Sequence, residues 1–516
     1  MMRAILCAGL PVVFLFLNAA HSQTHSTVSA RYGLEPGNYL VGFKLLETKD
    51  YSRAVTGGIS PIATHPRPIR TYLWYPATGS EDSRPMRFGR YAELADDDIW
   101  PVEIVGNLRE ELKYSRRALA RSLGPERFEA LLQRPMLAVE KAEALEGPFP
   151  LIVIGQGLYF ESPVAFAALA EYLAGRGFVV ATCPLVGTNS PLVRIDLQDL
   201  ETQVRDLEFA IAQARQLSFV SQNKLGVFGF DMGGMAGVIL AMRNADVDAF
   251  VSVSSGILYQ HPSGIPVASP DYDPLALRVP WLHSVPAIWM TQPQDAEAKS
   301  LFETALYSKR YLLLTEGMGH ADYTSYALVE DRPEMGGYAA AGPATIEGYE
   351  AVSKYVFNFF AAVLLQNSKS LAFLSQDPKD SIPGSTMTLE HRSATPSSIT
   401  YEEFVQAVVA GQAEQAIAEV RALLDTEPEH ILLQETYLQR LVWSLVGTWG
   451  LSEQAMPVIK FTAELYPASL NTQWMLAKGH KDVGDYAAAI EAYNRLLEQN
   501  PDNDYIKSQL EWLRSQ

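Results

Sequence analysis

The stretch that most restricts what this chain can become is residues 224–244, KLGVFGFDMGGMAGVILAMRN. A short apolar run at 225–230 meets a glycine-rich corner and continues as small and apolar residues from Met232. By length and period this is a buried strand, a tight turn and a helix. Gly229 and Gly233 suit the corner because strand and helix must approach there with no Cβ between them. The residue at the tip is Asp231, so a sharp corner holds a carboxylate up to its surroundings.

On both sides of this unit strand-like and helix-like stretches alternate, the pattern of a mostly parallel sheet flanked by helices. Two strands open it, at 38–44 (NYLVGFK) and 67–75 (RPIRTYLWY). Others are expected at 150–154 (PLIVI), 178–182 (FVVAT), 225–230, 247–253, 286–290 (PAIWM) and 310–314 (RYLLL), eight in all. Helices are expected at 163–174, 196–217 and 345–365. Residues 82–146 interrupt the alternation with a charged insertion of helical period. It is either a lid over the open end of the sheet or a solvated hairpin on its flank.

The corner at 225–244 resembles the nucleophile elbow of the α/β-hydrolases, with Asp231 standing where G-x-S-x-G carries serine. The phrase RPIRTYLWYPAT is similar to the second strand of the platelet-activating-factor acetylhydrolase and dienelactone-hydrolase-like group. The resemblance spans roughly residues 35–366 and implies the parts of a hydrolytic site. His320, in EGMGHADY (316–323) shortly after RYLLL, stands at the position of the site base. Asp295, after PAIWM, stands where an acid orients the imidazole, against the plainer reading of a helix N-cap. The other location for that acid reads Ser254-Ser255 and offers no carboxylate, and Asp322 reads as a loop-capping group. The backbone N–H groups of Met232 and Leu158 would form the oxyanion hole, in a loop that carries Gln156-Gly157 where the family has His-Gly.

An aspartate nucleophile occurs in the haloalkane dehalogenases and epoxide hydrolases, where it forms an ester with a saturated carbon. Their own marks are missing here: Met232 replaces the tryptophan after the nucleophile, and Gly155-Gln156-Gly157-Leu158 replaces His-Gly-x-Pro. Two readings therefore stand. One is a hydrolase of ester-like or other small molecules acting through Asp231, His320 and Asp295. The other is a hydrolase fold that has lost its serine and serves binding.

At 516 residues the chain calls for more than one domain. Its formal net charge of −18 argues against nucleic acid or an anionic membrane surface as partner, since both need clustered Lys and Arg. Arg3, the apolar run 4–17 and the small residues Ala19, Ala20 and Ser22 read as a signal peptide over 1–22, which implies a secreted or periplasmic protein. That run is short for a membrane span and contains Pro11. Beyond it Cys183 is the one cysteine, so neither an intrachain disulfide nor a Cys-ligated metal is expected, and no cofactor is called for.

Residues 367–400, rich in Ser, Pro, Asp and Thr, read as a linker after an α/β-hydrolase domain over 23–366. Past it the period changes. The run Gly411 to Ala416 with Pro428, then Ala455 with Pro467, then Gly484 to Ala489 with Pro501 line up, the last two offset by 34 residues. This resembles tetratricopeptide repeats, and implies an all-α domain over 401–516, closed by a capping helix at 504–516, that could take a protein or peptide partner.

Overall fold

The computed structural model describes residues 34–56, 64–79, 83–96, 114–158, 164–189, 193–259, 265–291, 299–329, 343–395 and 399–516. The stretch read as a signal peptide lies outside them. No helix among the described residues is long and apolar enough to cross a membrane.

A ten-stranded sheet organises the larger part of the chain. Its strands are β1 (Leu40–Thr56), β2 (Thr64–Ala77), β3 (Ala138–Glu140), β4 (Phe149–Gly155), β5 (Val179–Thr182), β6 (Val220–Phe230), β7 (Ala249–Val253), β8 (Trp281–Pro286), β9 (Arg310–Thr315) and β10 (Thr388–Arg392). They lie side by side in the order β10-β9-β8-β7-β6-β4-β5-β2-β1-β3. From β5 across to β9 the pairings are parallel, while β2 is antiparallel to both β1 and β5, and β10 to β9. With the two edge strands β3 and β10 set aside, this is the order of the α/β-hydrolase fold. The sheet is mixed, with ten strands in place of the eight expected.

The centre explains why the fold is stable. In β4, Ile152 and Ile154 face one apolar cluster and Leu151 and Val153 the other, all fully buried, as a strand covered by helices on both faces must be. Helices Ala167–Ala174 and Pro343–Leu364 cover the first face, and Leu197–Ala214 and Met232–Arg243 the second.

Three expectations need correction. The seventh strand is Trp281–Pro286, and 286–290 forms a 3-10 turn, Ala287–Thr291. The polar His283 and Ser284 disguised that strand, yet both are fully buried, with His283 Nδ1 2.6 Å from Ser252 Oγ on β7. The 367–400 stretch is not merely a linker: it holds helices Ser368–Leu374 and Pro378–Ser381, and then β10. β10 is largely exposed, so no hydrophobic alternation announced it. Finally, the 82–146 insertion is helical only in part. Helices Phe88–Asp96 and Tyr114–Leu132, the latter broken at Gly124-Pro125, give way to β3, which pairs with β1.

The described part of that insertion is locked to the flank of the sheet by a buried polar chain. Trp74 Nε1 donates to Tyr91 Oη at 2.8 Å, and Tyr91 donates to Glu171 at 2.7 Å. The backbone N–H groups of Leu137 and Ala138 also donate to Glu171, at 2.9 and 3.0 Å. Burial outweighs these donors and pushes the Glu171 carboxyl from its usual 4.5 up to about 7. Such a group holds its proton more tightly folded than unfolded, so its contribution to stability declines as pH rises from about 4.5 to about 7. The loss should be on the order of 3 kcal/mol. Chemical denaturation at a series of pH values should show it, with a flatter slope over this window in Glu171→Gln.

Beyond residue 399 the chain is helical. Gly411, Gly450 and Gly484 turn one helix into the next at positive φ (78°, 68° and 80°). Five residues after each comes a buried alanine, Ala416, Ala455 and Ala489. The first two glycines are 39 residues apart and the second pair 34, and a π-helical turn, Ser444–Thr448, lies in the longer interval. Because β10 runs antiparallel to β9, it delivers the chain to the end of the sheet where β8 and β9 begin. There Tyr307 donates to Glu427, Tyr437 donates to Asp273 at 3.4 Å, and the Tyr307 and His430 rings meet edge to face at 5.7 Å.

Candidate active site

Asp231 lies between the last residue of β6 and the first turn of helix Met232–Arg243, at φ 52° and ψ −119°. A residue with a Cβ adopts such a backbone only when its surroundings hold it there. They do. Its N–H donates to Val253 O at 3.3 Å, and its carbonyl accepts from Ser255 Oγ at 2.7 Å and from Gly234 N at 3.0 Å. The corner closes because Gly233 packs on Gly155: a Cβ at Gly233 would stand 2.1 Å from the Gly155 carbonyl.

The loop after β4 crosses directly above. A Cβ on Gly157 would come 2.6 Å from that of Asp231, so only glycine lets the chain pass. The next residue, Leu158, donates its N–H to Asp231 Oδ2 at 2.9 Å. Gln156, where the resemblance expects histidine, turns inward: its side-chain amide donates to Cys183 O at 2.5 Å, and its backbone carbonyl accepts from Gln203 at 2.7 Å. The substitution thus anchors the loop and leaves the Leu158 amide aimed at the carboxylate. Met232, which the resemblance expects to give the second oxyanion amide, follows Asp231 as the buried first residue of the helix.

His320 opens the 3-10 turn His320–Tyr323 that follows β9, and Asp322 closes this turn by accepting from Gly319 N at 2.7 Å. Its Nε2 lies 3.9 Å from Asp231 Oδ1, and its Nδ1 lies 2.7 Å from Ser254 Oγ. The ring stacks on Phe230, centroids 4.6 Å apart, and on Trp289 at 5.9 Å. Burial holds the imidazole below its usual 6.5, and the Asp231 charge offsets part of that. The two side chains keep 18% and 23% exposure.

Asp231, His320 and the Leu158 amide are therefore brought together, although nearly ninety residues separate the first two. Asp295 lies outside the described residues. Ser254 is the contact that sequence reasoning passed over. It sits just after β7, is fully buried, and holds φ 46°. Its signal was its location, one of the two from which a partner can reach Nδ1, but a search restricted to carboxylates discards it. Among the described residues no group of three or more His, Cys, Asp or Glu could hold a metal ion.

No protein-family model matches the chain, and no curated protein matches it. Among solved structures the chain is similar to a ferulic acid esterase from Streptomyces cinnamoneus, with a TM-score of 0.46 and 21% sequence identity over 64% of this chain and 93% of that one. What the site can do follows from its own geometry.

Proposed function

We propose that the protein is a hydrolase of small molecules in which Asp231 is the nucleophile and His320 the base. The observation that carries this is the division of labour between the two carboxylate oxygens. Oδ2 is held by the Leu158 N–H, while Oδ1 faces the imidazole. Oδ1 attacks the electrophilic carbon, its electron pair forming the C–O bond as the leaving group departs, and an ester of Asp231 results. Water then attacks Cγ. His320 Nε2 takes the proton, the negative charge that develops on Oδ2 is met by the Leu158 amide, and collapse breaks the bond from Cγ to the ester oxygen, which leaves with the substrate carbon as an alcohol after taking the proton back from His320. In a serine esterase that amide must be vacant for the substrate's carbonyl oxygen. Here the nucleophile's own oxygen uses it, which favours substrates attacked at saturated carbon, where no substrate oxyanion forms. Attack on an ester carbonyl would instead give an anhydride.

The test is covalent capture. In His320→Ala the first step is retained and the second is slowed, so incubation with a panel of alkyl halides, epoxides and p-nitrophenyl esters should leave an adduct seen by intact-mass measurement. An unmodified mass with the entire panel would favour the rival reading of a silent fold. Because burial holds His320 low, the rate of an active enzyme should climb with pH below 6.5, as neutral imidazole forms, earlier than for an ordinary histidine.

A second reading concerns the helical region, which we infer to be a tetratricopeptide-repeat domain with a partner of its own. A groove of about 450 Å³ between helices Ser452–Leu465, Leu470–Asp482 and Tyr486–Gln499 supports it. Lys460, Glu464, Gln473, His480, Arg495 and Gln499 surround an apolar floor at Leu476, and the Glu464 carboxylate is engaged by Arg421. Such a lining suits an extended acidic peptide. Titration of the full chain with a fluorescent acidic peptide should show binding that weakens with salt and is lost in Lys460→Glu/Arg495→Glu.

A further inference from the structure

Two aromatic rings lie nearly parallel to the His320 imidazole, Phe230 with its centroid 4.6 Å away and its plane tilted by 24°, and Trp289 at 5.9 Å and 23°. They come from different parts of the fold. Phe230 ends β6 and belongs to the apolar cluster on one face of the sheet, while Trp289 stands in the 3-10 turn after β8 and packs against the cluster on the other. The imidazole stacks with both.

Stacking of this kind has two opposed effects on a base. Any apolar neighbour takes water from the ring and so disfavours its protonated form. An aromatic face does that too, but its π-system attracts a cation within about 6 Å of the centroid, and indole does so most strongly. A histidine walled by leucine loses basicity outright, whereas one walled by indole keeps a dry site and still has a surface that favours its positive charge. The edges of the ring are addressed separately. Nε2 faces Asp231 Oδ1 at 3.9 Å and Nδ1 meets Ser254 Oγ at 2.7 Å, while Asp322, on the ring's own turn, accepts from Gly319 N at 2.7 Å. Asp295, outside the described residues, is expected at an edge as well, so the contribution of the faces adds to whatever the edges supply.

We infer that Trp289 is a positioning residue whose indole face stabilises the imidazolium form of His320. Its use in the reaction follows from charge. During hydrolysis Asp231 is esterified and neutral, so the cation formed when Nε2 takes a proton from water no longer faces a carboxylate there. The indole face is the same in every state of the nucleophile. The proton then passes to the departing alcohol oxygen and the ring returns to neutral. This role in turnover rests on the proposed nucleophile, whereas the interaction between the two rings does not.

The experiment therefore needs no substrate. Trp289 is half-buried, in a turn whose Ile288 is 62% exposed, so replacing it should leave the sheet intact. In the full-length protein labelled with carbon-13 at histidine Cε1, the His320 resonance is assigned by its loss in His320→Gln and followed through its titration. Trp289→Phe and Trp289→Leu bring in side chains of similar size, so they admit similar amounts of water and differ in the π face. The titration midpoint should lie lower in Trp289→Leu than in Trp289→Phe, by about half a pH unit. The gap should persist when Asp231→Asn is added to each variant, since the neighbouring carboxylate is then gone. Equal midpoints in the two variants, a higher one with leucine, or a gap that vanishes with Asp231→Asn overturns the inference. Failure of adduct capture in His320→Ala with the gap as expected would reject the nucleophile and leave the role of Trp289 standing.

Discussion

Asp231→Asn should abolish turnover by a factor on the order of 10⁴ or more, the scale seen when a covalent nucleophile is removed. The substitution is nearly isosteric, and asparagine tolerates the left-handed backbone that position 231 requires, φ 52°. The elbow should therefore remain folded, with an unchanged melting temperature, while kcat collapses. Asp231→Ser is the complementary variant. Serine there would leave the Leu158 amide free for a substrate carbonyl and place a hydroxyl near His320 Nε2. Esterase activity in this variant, with none in the parent, would identify the aspartate as a replaced serine. Equal turnover of Asp231→Asn and wild type on any substrate would remove Asp231 from the chemistry.

Gly233→Ala should be among the most damaging conservative changes in the sheet domain. The added Cβ would sit 2.1 Å from the Gly155 carbonyl and 2.5 Å from Gln156 N, with backbone on every side and no side chain to swing away. Overpacking a core commonly costs about 1–3 kcal/mol. Here the cost should exceed that range, because relief requires prising the helix off β4 and β6. Gly317→Ala is the control: Gly317 also has a left-handed φ, 71°, but nothing lies within 4 Å of an added Cβ. It should cost only the backbone term, roughly 1–2 kcal/mol. Denaturant melts of the two variants test the contrast, and a Gly233→Ala protein as stable as Gly317→Ala would show that the elbow is looser than described.

These variants also mark what was legible in the amino-acid order. The elbow could be read because a strand, a glycine corner and a helix are contiguous, and their close approach leaves its mark in residue size alone. His320 could be read because it follows a strongly apolar strand in a short loop. β8 was misplaced because His283 and Ser252 hydrogen-bond each other across two strands, with Trp281 Nε1 donating to Ser252 as well, so buried polar residues took on the look of a loop. β10 went unseen because it buries little. Ser254 was in view but set aside for want of a charge. Its importance comes from a contact 66 residues away, which no local pattern carries.

The helical region meets the sheet where β8 and β9 begin, whereas Asp231, Ser254 and His320 all follow strand ends on the far rim. On the proposed reading, a peptide held by those helices would be bound by a region that joins the sheet at the rim opposite Asp231 and His320. Such an anchor would act through effective concentration, keeping the proposed catalyst beside its target without touching the rate at which each molecule is turned over.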